Sequence, residues 1–221
     1  MQAYEFINNL IPPLKLSDKT GKALSWMEEI RINNLPVVDN GVFVGLVNGD
    51  LIFDLNNPET LISELTLENS GCWVFADQHI YDVLRVSSEH HSNLVAILDR
   101  NSTYLGVVTM EDSISAFAES LSIQSHGSVM ILSMNMNEYS LAEISRIIES
   151  ENGKVLSSFI STDPLDNNKI KLTLKIDKPE LRHIKATLER FGYRILDQYQ
   201  EVEEASSEED RIGNLLRFLD I

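Results

Sequence analysis

The pattern Leu35-Pro36-Val37-Val38-Asp39, followed by a short turn and Gly45-Leu46-Val47-Asn48-Gly49-Asp50, occurs twice in this chain. Its second copy reads Val95-Ala96-Ile97-Leu98-Asp99, a turn, and Gly106-Val107-Val108-Thr109-Met110-Glu111-Asp112. Two copies of one small unit bury their sheets against each other. The repeat therefore predicts paired domains at residues 1–60 and 61–122.

Each copy combines helical periodicity with a hairpin. In the first copy the apolar residues of a helix recur at Ala23, Trp26, Met27 and Ile30. Ser17 or Asp18 is the predicted cap of that helix, and Asp39-Asn40-Gly41 is a strong hairpin signal. In the second copy Asp77 is expected to cap a helix over 80–88. A further helix from Met110 to about Leu121 carries one apolar stripe: Ile114, Phe117, Ala118 and Leu121.

The pattern changes after Ser122, where strands and helices follow in the order βαββαβ. The strand from Lys169 to Asp177 alternates strictly, with apolar side chains on one side: Ile170, Leu172, Leu174 and Ile176. We expect a loop over 163–168 before that strand and a helix from Pro179 to Phe191 after it. The order predicts a ferredoxin-like sheet over residues 127–200 with helices on one face. The fold class is thus α+β (with α/β character in the repeats).

The C-terminal residues 201–221 combine charge with an apolar face. Residues 201–210 contain six acidic residues and no basic one, which indicates a solvated linker. A short amphipathic helix is predicted from four residues that follow: Ile212, Leu215, Leu216 and Leu219. A helix this short is marginal when free, so we expect it to dock on its own chain or on a dimer mate.

Composition narrows the class of protein. The chain has 221 residues, of which 43% are hydrophobic and 24% charged, as in ordinary globular proteins. No apolar run approaches the roughly 20 residues of a membrane span, and residues 1–10 do not resemble a signal peptide. We therefore expect a cytoplasmic protein. The net charge of −16 argues against nucleic acid or an anionic membrane as partner.

Candidate chemistry lies where each repeated strand ends and a helix begins. Backbone N–H groups and the helix dipole favour an anion there, and an aspartate one turn into the helix can accept two ribose hydroxyl protons. Thr109 and Asp112 stand at these positions in the second copy. The plain alternative is that both residues only cap the helix.

Other chemistry is poorly supported. Cys72 is the only cysteine, which excludes an internal disulfide and a cysteine-rich zinc site. The adjacent His90 and His91 cannot face one metal from a helix end, so we expect no metal site. Catalytic motifs such as a Walker loop, a nucleophile elbow or a zinc-protease helix are absent from the sequence, and we expect no enzyme.

The repeat resembles a tandem pair of CBS domains. The first copy is similar in Asp18, Ala23-Leu24, Met27, Leu35-Pro36-Val37-Val38-Asp39 and Gly45-Leu46-Val47. The second is similar in Gly106-Val107-Val108-Thr109-Met110-Glu111-Asp112, which has the Gly-h-h-Thr-x-x-Asp form. Residues 127–200 resemble an ACT domain in element order. A CBS pair followed by an ACT-like domain is similar to regulatory proteins of the acetoin-utilisation type.

The resemblance implies a sensor of an adenosine-containing ligand: AMP, ADP, ATP or S-adenosylmethionine. It implies that Asp112 holds the ribose, that Thr109 contacts phosphate, and that the backbone at Val95, Ala96 and Ile97 faces the base. Such a ligand is regulatory, so no cofactor is required. The resemblance also implies a homodimer that passes a signal to a client protein.

Two further candidate sites, one in the first copy and one in the ACT-like domain, differ from the patterns of the families that they resemble. The first copy forms a weaker candidate site at Pro36, Asn48 and Asp50, because Gly45 to Asp50 is one residue shorter than Gly106 to Asp112. A residue missing from the helix would rotate Asp50 by about 100°, whereas a loop could absorb the difference. In the ACT-like domain Asn135 and Asn137 are weak candidates for amino-acid binding, since that loop lacks glycine.

Three function classes follow in order of support. A ligand-sensing regulator comes first, a structural dimer or scaffold with empty clefts second, and an enzyme last. Amino-acid sensing by the ACT-like domain is a further form of the first class.

Overall fold

The computed structural model describes residues 1–119, 121–164 and 166–200. The chain divides into two compact units, Met1–Glu119 and Ser120–Ile221. Both copies of the repeat lie in the first unit. The predicted acidic linker and C-terminal helix at 201–221 lie outside the described residues.

The first copy contains helix α1 (Thr20–Ile30), strands β1 (Asn34–Asp39) and β2 (Val42–Asn48), and helix α2 (Gly49–Leu55). β1 and β2 form the predicted antiparallel hairpin. Asn40 and Gly41 have φ of 49° and 83°, and positive φ at both central residues is what a type I′ turn requires.

The predicted cap of α1 was wrong. Lys19 occupies the N-cap position without a side-chain cap. Asp18 instead accepts a hydrogen bond from the Lys15 N–H at 2.8 Å. Its other oxygen accepts from the Lys22 ammonium at 2.8 Å, so both carboxylate oxygens have partners other than the backbone N–H groups of the helix start.

The second copy contains β3 (Trp73–Phe75), α3 (Ile80–His90), β4 (Leu94–Leu98), β5 (Tyr104–Thr109) and α4 (Met110–Ala118). β4 is the central strand, parallel to β3 and antiparallel to β5. His79 and not Asp77 caps α3, because Asp77 pairs with Arg100. The predicted helix from Met110 to about Leu121 ends at Ala118, so Leu121 lies outside it. Ile114 of its predicted apolar stripe is 61% exposed.

The two copies are joined by exchanged N-terminal segments. Ala3–Phe6 and Ile62–Glu64 each form a 3-10 turn that precedes a copy. After these turns, Asn8 pairs with Val107 of the second copy and Glu68 pairs with Leu46 of the first. The largest core of the unit draws buried residues from both copies, including Leu35, Val37, Leu46, Leu94, Ala96 and Val107. The predicted burial of the two sheets against each other is confirmed.

The second unit contains α5 (Leu121–Gln124), β6 (Ser128–Asn135), α6 (Leu141–Ser150), β7 (Val155–Asp163), β8 (Asp166–Ile176), α7 (Arg182–Arg190) and β9 (Arg194–Tyr199). Its four strands are antiparallel in the order β7-β8-β6-β9, which is the ferredoxin-like arrangement that the element order predicts.

The alternation of β8 is confirmed, since its four predicted inward residues are buried: Ile170, Leu172, Leu174 and Ile176. They pack with Ile144 and Ile148 of α6 and Ile184 and Leu188 of α7. The helix α7 begins at Arg182, later than predicted, and Phe191 lies beyond its end with 53% exposure. The predicted loop over 163–168 is largely strand.

No helix among the described residues is long and apolar enough to cross a membrane.

Candidate ligand site at the start of helix α4

Thr109 and Asp112 meet at the junction of β5 and α4. The Asp112 N–H donates to Thr109 Oγ1 at 2.9 Å. In return, the Thr109 N–H and hydroxyl donate to Asp112 Oδ2 at 3.2 and 2.5 Å. This reciprocal arrangement is a capping box, which satisfies backbone N–H groups at the helix start. The geometry therefore gives both residues a structural role before any ligand is considered.

Asn8 is a third member of this cluster. Its Nδ2 donates to Asp112 Oδ2 at 3.1 Å and lies 3.4 Å from Oδ1. The Asn8 N–H donates to the Val107 carbonyl at 2.8 Å, which fixes the segment along β5. Sequence reasoning missed Asn8, because 104 residues separate it from Asp112 and no local pattern connects them.

A cavity of about 390 Å³ opens at the same helix start, between the two copies. This volume is within the range of roughly 300–1,000 Å³ that small-molecule sites occupy. Its lining comes from Arg31–Asn34 of the first copy and from Asn93, Leu94 and Thr109–Glu111 of the second. Asn33 and Asn93 hold equivalent places, since their carbonyls accept from the first N–H of α2 and α4 at 2.8 and 2.9 Å.

The charges at the cavity are few. Arg31 supplies one cation and Glu111 one anion, while the remaining lining residues are neutral. Arg31 is held there by its left-handed backbone conformation, with φ of 61° and ψ of 44° at the end of α1. A single guanidinium can pair with one phosphate, but it cannot balance the several negative charges of a triphosphate.

Solved structures identify the fold of the first unit. No protein-family model and no curated protein matches the chain. A CBS domain pair/ACT domain protein from Thermotoga maritima matches with 22% identity and a TM-score of 0.51, over 55% of this chain and 99% of that one. The first unit has the fold of a CBS domain pair.

Two further structures are similar to the CBS pair at lower scores. The CBS domains of a transcriptional regulator from Streptococcus pneumoniae share 22% identity, with a TM-score of 0.47, over 52% of this chain and 98% of that one. The CBS-pair protein CBSX2 from Arabidopsis thaliana in complex with AMP shares 19% identity, with a TM-score of 0.47, over 53% of this chain and 96% of that one.

Three residues of the central strand β4 that were expected to face the base, Val95, Ala96 and Ile97, do not line the cavity. Val95, Ala96 and Ile97 are at most 1% exposed. β4 has a neighbouring strand on both sides, so its backbone groups are directed at β3 and β5. Leu94 and Asn93, just before these three residues, reach the cavity instead.

The first CBS copy lacks the counterpart of Asp112. Asn48 caps α2 as Thr109 caps α4, so the third residue of α2 is Leu51 and Asp50 is the second. The missing residue therefore falls within the helix. Asp50 is drawn toward Asn33, whose Nδ2 donates to Asp50 Oδ2 at 3.2 Å and to Asn48 Oδ1 at 3.3 Å.

Another cavity of about 430 Å³ lies at the hairpin of the first CBS copy, lined by Pro13–Ser17 and Val38–Gly41. Pro36, Asn48 and Asp50 are not among its lining residues. At the corresponding hairpin of the second copy, Arg100 Nη2 lies 2.6 Å from Asp77 Oδ2, and its guanidinium covers the Phe75 ring at 4.5 Å.

The candidate residues of the second unit are exposed. Asn135 and Asn137 lie at the short turn Met136–Glu138. The Asn135 N–H donates to Glu138 Oε2 at 3.2 Å, as part of a capping box. Within the described ranges, no group of three or more histidine, cysteine or acidic side chains is placed to hold a metal ion.

Proposed function

We propose that the chain is a non-catalytic regulatory protein whose CBS pair binds an adenosine-containing ligand at the start of α4. The supporting observation is that the Asp112 carboxylate and the 390 Å³ cavity flank the same residue, Thr109. The ribose hydroxyls would take the place of the Asn8 amide at Asp112, and the anionic group would lie in the cavity near Arg31. With one cation in the lining, AMP is favoured over ADP and ATP, and S-adenosylmethionine is the remaining candidate.

In this proposal Asn8 links ligand binding to the N-terminal segment. Asp112 can accept about four hydrogen bonds, and Thr109 and Asn8 already provide three of them to Oδ2. A ribose diol that binds Asp112 therefore competes with Asn8. The ligand shifts the arrangement of the segment only if it binds the released form more tightly. A homodimer with an ACT-like second unit, as in acetoin-utilisation-type regulators, would pass this change to a client protein.

Thermal unfolding with AMP, ADP, ATP, S-adenosylmethionine and amino acids tests the proposal. A ligand at about 100 times its dissociation constant adds roughly 2.7 kcal/mol of stability. We expect AMP to raise the midpoint temperature of unfolding of the wild type, and Asp112→Ala to abolish this increase. Each variant is compared with its own ligand-free state. Asp50→Ala, the matched change in the first CBS copy, should retain the shift.

The competing function is a scaffold without a ligand. The completed capping box and the Asn8 contact favour it, since both satisfy Asp112 within the protein. If no adenosine compound moves the midpoint of either wild type or Asn8→Ala, the scaffold function is supported. A shift with an amino acid alone would move the receptor to the second unit.

A further inference from the structure

The outer face of the ferredoxin-like sheet, opposite α6 and α7, carries exposed apolar residues, and the short helix α5 contacts this face at β7. Because alternate residues share a face, the strand register places Val129 and Ile131 of β6 beside Tyr199 of β9 and, across β8, Phe159 of β7. Phe159 and Tyr199 are 61% and 58% exposed. A cavity of about 260 Å³ lies on this face, between Ser122 and Ile123 of α5 and strand residues that include Phe159. Exposed apolar groups arranged together mark a contact surface.

The same face is positively charged within a strongly acidic chain. Lys175 of β8 lies beside Val129 and its ammonium donates to the Gly127 carbonyl at 2.7 Å, whereas Lys171 lies between Ser133 and Ser161. Arg194 of β9 lies at the edge. Asp197 is the one acid that the register places beside them on β6, β8 and β9, and it accepts a hydrogen bond from the Tyr199 hydroxyl at 2.6 Å. The chain as a whole has a net charge of −16, so the face fits an acidic and apolar partner.

We propose that the partner is the C-terminal segment 201–221 of the same chain. Its first ten residues carry six acidic groups, and Ile212, Leu215, Leu216 and Leu219 follow at helical spacing. Acidic groups then face Lys171 and Lys175, while the apolar residues cover Phe159 and Val129. Both halves of the segment match a feature of the face.

Chain length permits this contact. β9 ends at Tyr199, on an edge of the sheet. The 13 residues from there to Ile212 can span about 40 Å when extended, whereas four strands are about 14 Å wide. The segment therefore reaches any strand of the face, and its attachment to β9 keeps its local concentration high.

Charge argues against a second copy as the occupant. Two identical faces packed about a two-fold axis would bring the same residues together. Lys171 and Lys175 of each copy would then meet like charges, which is unfavourable at an interface. The acidic segment has the opposite sign.

Tryptic cleavage after Arg211, followed by mass spectrometry on the full chain, tests the proposal. Arg211 lies between the acidic and apolar halves of the segment. We expect cleavage to be several-fold faster in Lys171→Glu and in Phe159→Ser than in wild type. Arg182→Glu, on α7 and thus on the opposite side of the sheet, removes the same charge and one tryptic site and should leave the rate unchanged. In about 1 M salt the Debye length falls to roughly 3 Å, and wild-type cleavage should accelerate.

Equal cleavage rates in all four proteins would overturn the proposal. Protection that grows with protein concentration, together with a dimer in sedimentation, would also overturn it by assigning the segment to a partner chain. Circular dichroism must show that each variant is folded, and either face variant alone is sufficient for the test. Because the ligand site of the first unit plays no part, the result is independent of the proposed function.

Discussion

At the residue scale, the fit between Gly106 and Ile7 decides how closely the N-terminal segment approaches β5. A Cβ atom added at Gly106 would lie 2.4 Å from Ile7 Cγ2, which is well inside van der Waals contact. The same segment carries Asn8, so this contact also positions the amide that bonds Asp112. Packing at one glycine thus supports the candidate site without touching it.

Gly106→Ala should destabilise the protein by about 1–3 kcal/mol through overpacking. Ile7→Ala in the same chain should recover part of that loss, because it removes the clashing methyl group. Denaturant unfolding of wild type, both single variants and the double variant measures the coupling. Strictly additive losses would show that the two residues do not interact.

Cys72 provides a probe of the same unit. It is fully buried, and its Sγ donates to the Leu94 carbonyl at 3.1 Å. Burial raises the pKa of this thiol, although Ser92 partly opposes the effect. Since the thiolate is the reactive form, we expect a thiol reagent to label Cys72 far more slowly in the native protein than in denaturant. Equal labelling rates would contradict the burial.

At the element scale, the turns of the two hairpins are stabilised by different interactions. The first uses the positive φ of Asn40 and Gly41. The second uses Asp99, whose Oδ1 accepts from the N–H groups of Asn101 and Thr103 at 2.8 and 2.7 Å. In the second copy the Asp99 side chain thus organises the turn, and Ser102 takes the positive φ of 64°.

Asp99 makes the second hairpin sensitive to acid. The N–H of Thr103, assisted by that of Asn101, lowers the pKa of the Asp99 carboxyl below its usual value. The contribution to stability is therefore complete above the unfolded-state pKa of about 3.9, and it is lost as the pH falls through the lower folded-state pKa.

Asp99→Asn should consequently reduce the loss of stability between pH 6 and pH 3. Denaturant unfolding of wild type and variant at pH 6 and at pH 3 measures this loss of stability. The control is Asp39→Asn in the first hairpin, where an Asn40 side chain donates to the Asp39 carboxylate. An acid-induced loss that is unchanged in Asp99→Asn would refute this assignment.

At the scale of the whole molecule, the cores of the two units contain separate residues. Two clusters of buried residues belong to the first unit, and a third, from Met130 to Leu188, belongs to the second. No described residue is shared between the clusters of different units. A unit with its own core can fold by itself.

We therefore expect residues 1–119 to fold cooperatively when produced alone. Far-ultraviolet circular dichroism and a single denaturant transition would establish this, and any AMP response should persist in the fragment. Residues 120–221, produced in the same way, are the matched comparison. An unfolded 1–119 fragment would mean that its core needs the second unit.

The sequence by itself determined the repeat, the Asp39-Asn40-Gly41 turn, the alternation of β8 and the βαββαβ order. These features depend on neighbours within a few residues, where periodicity and turn chemistry act directly. It also placed Thr109 and Asp112 together, because the two ends of a capping box are three positions apart in the sequence.

Only the tertiary structure decided the helix caps, the position of Asp50 and the role of Asn8. Asp18 and Asp77 are residue types that favour helix caps, but Asp18 bonds the Lys15 N–H and Asp77 bonds the Arg100 guanidinium instead. The place of Asp50 as the second residue of α2 follows from Asn48 being the N-cap of that helix. Asn8 reaches Asp112 because the N-terminal segment crosses to the other copy, and pairing over such a sequence distance depends on how the two copies pack and leaves no local periodic signal.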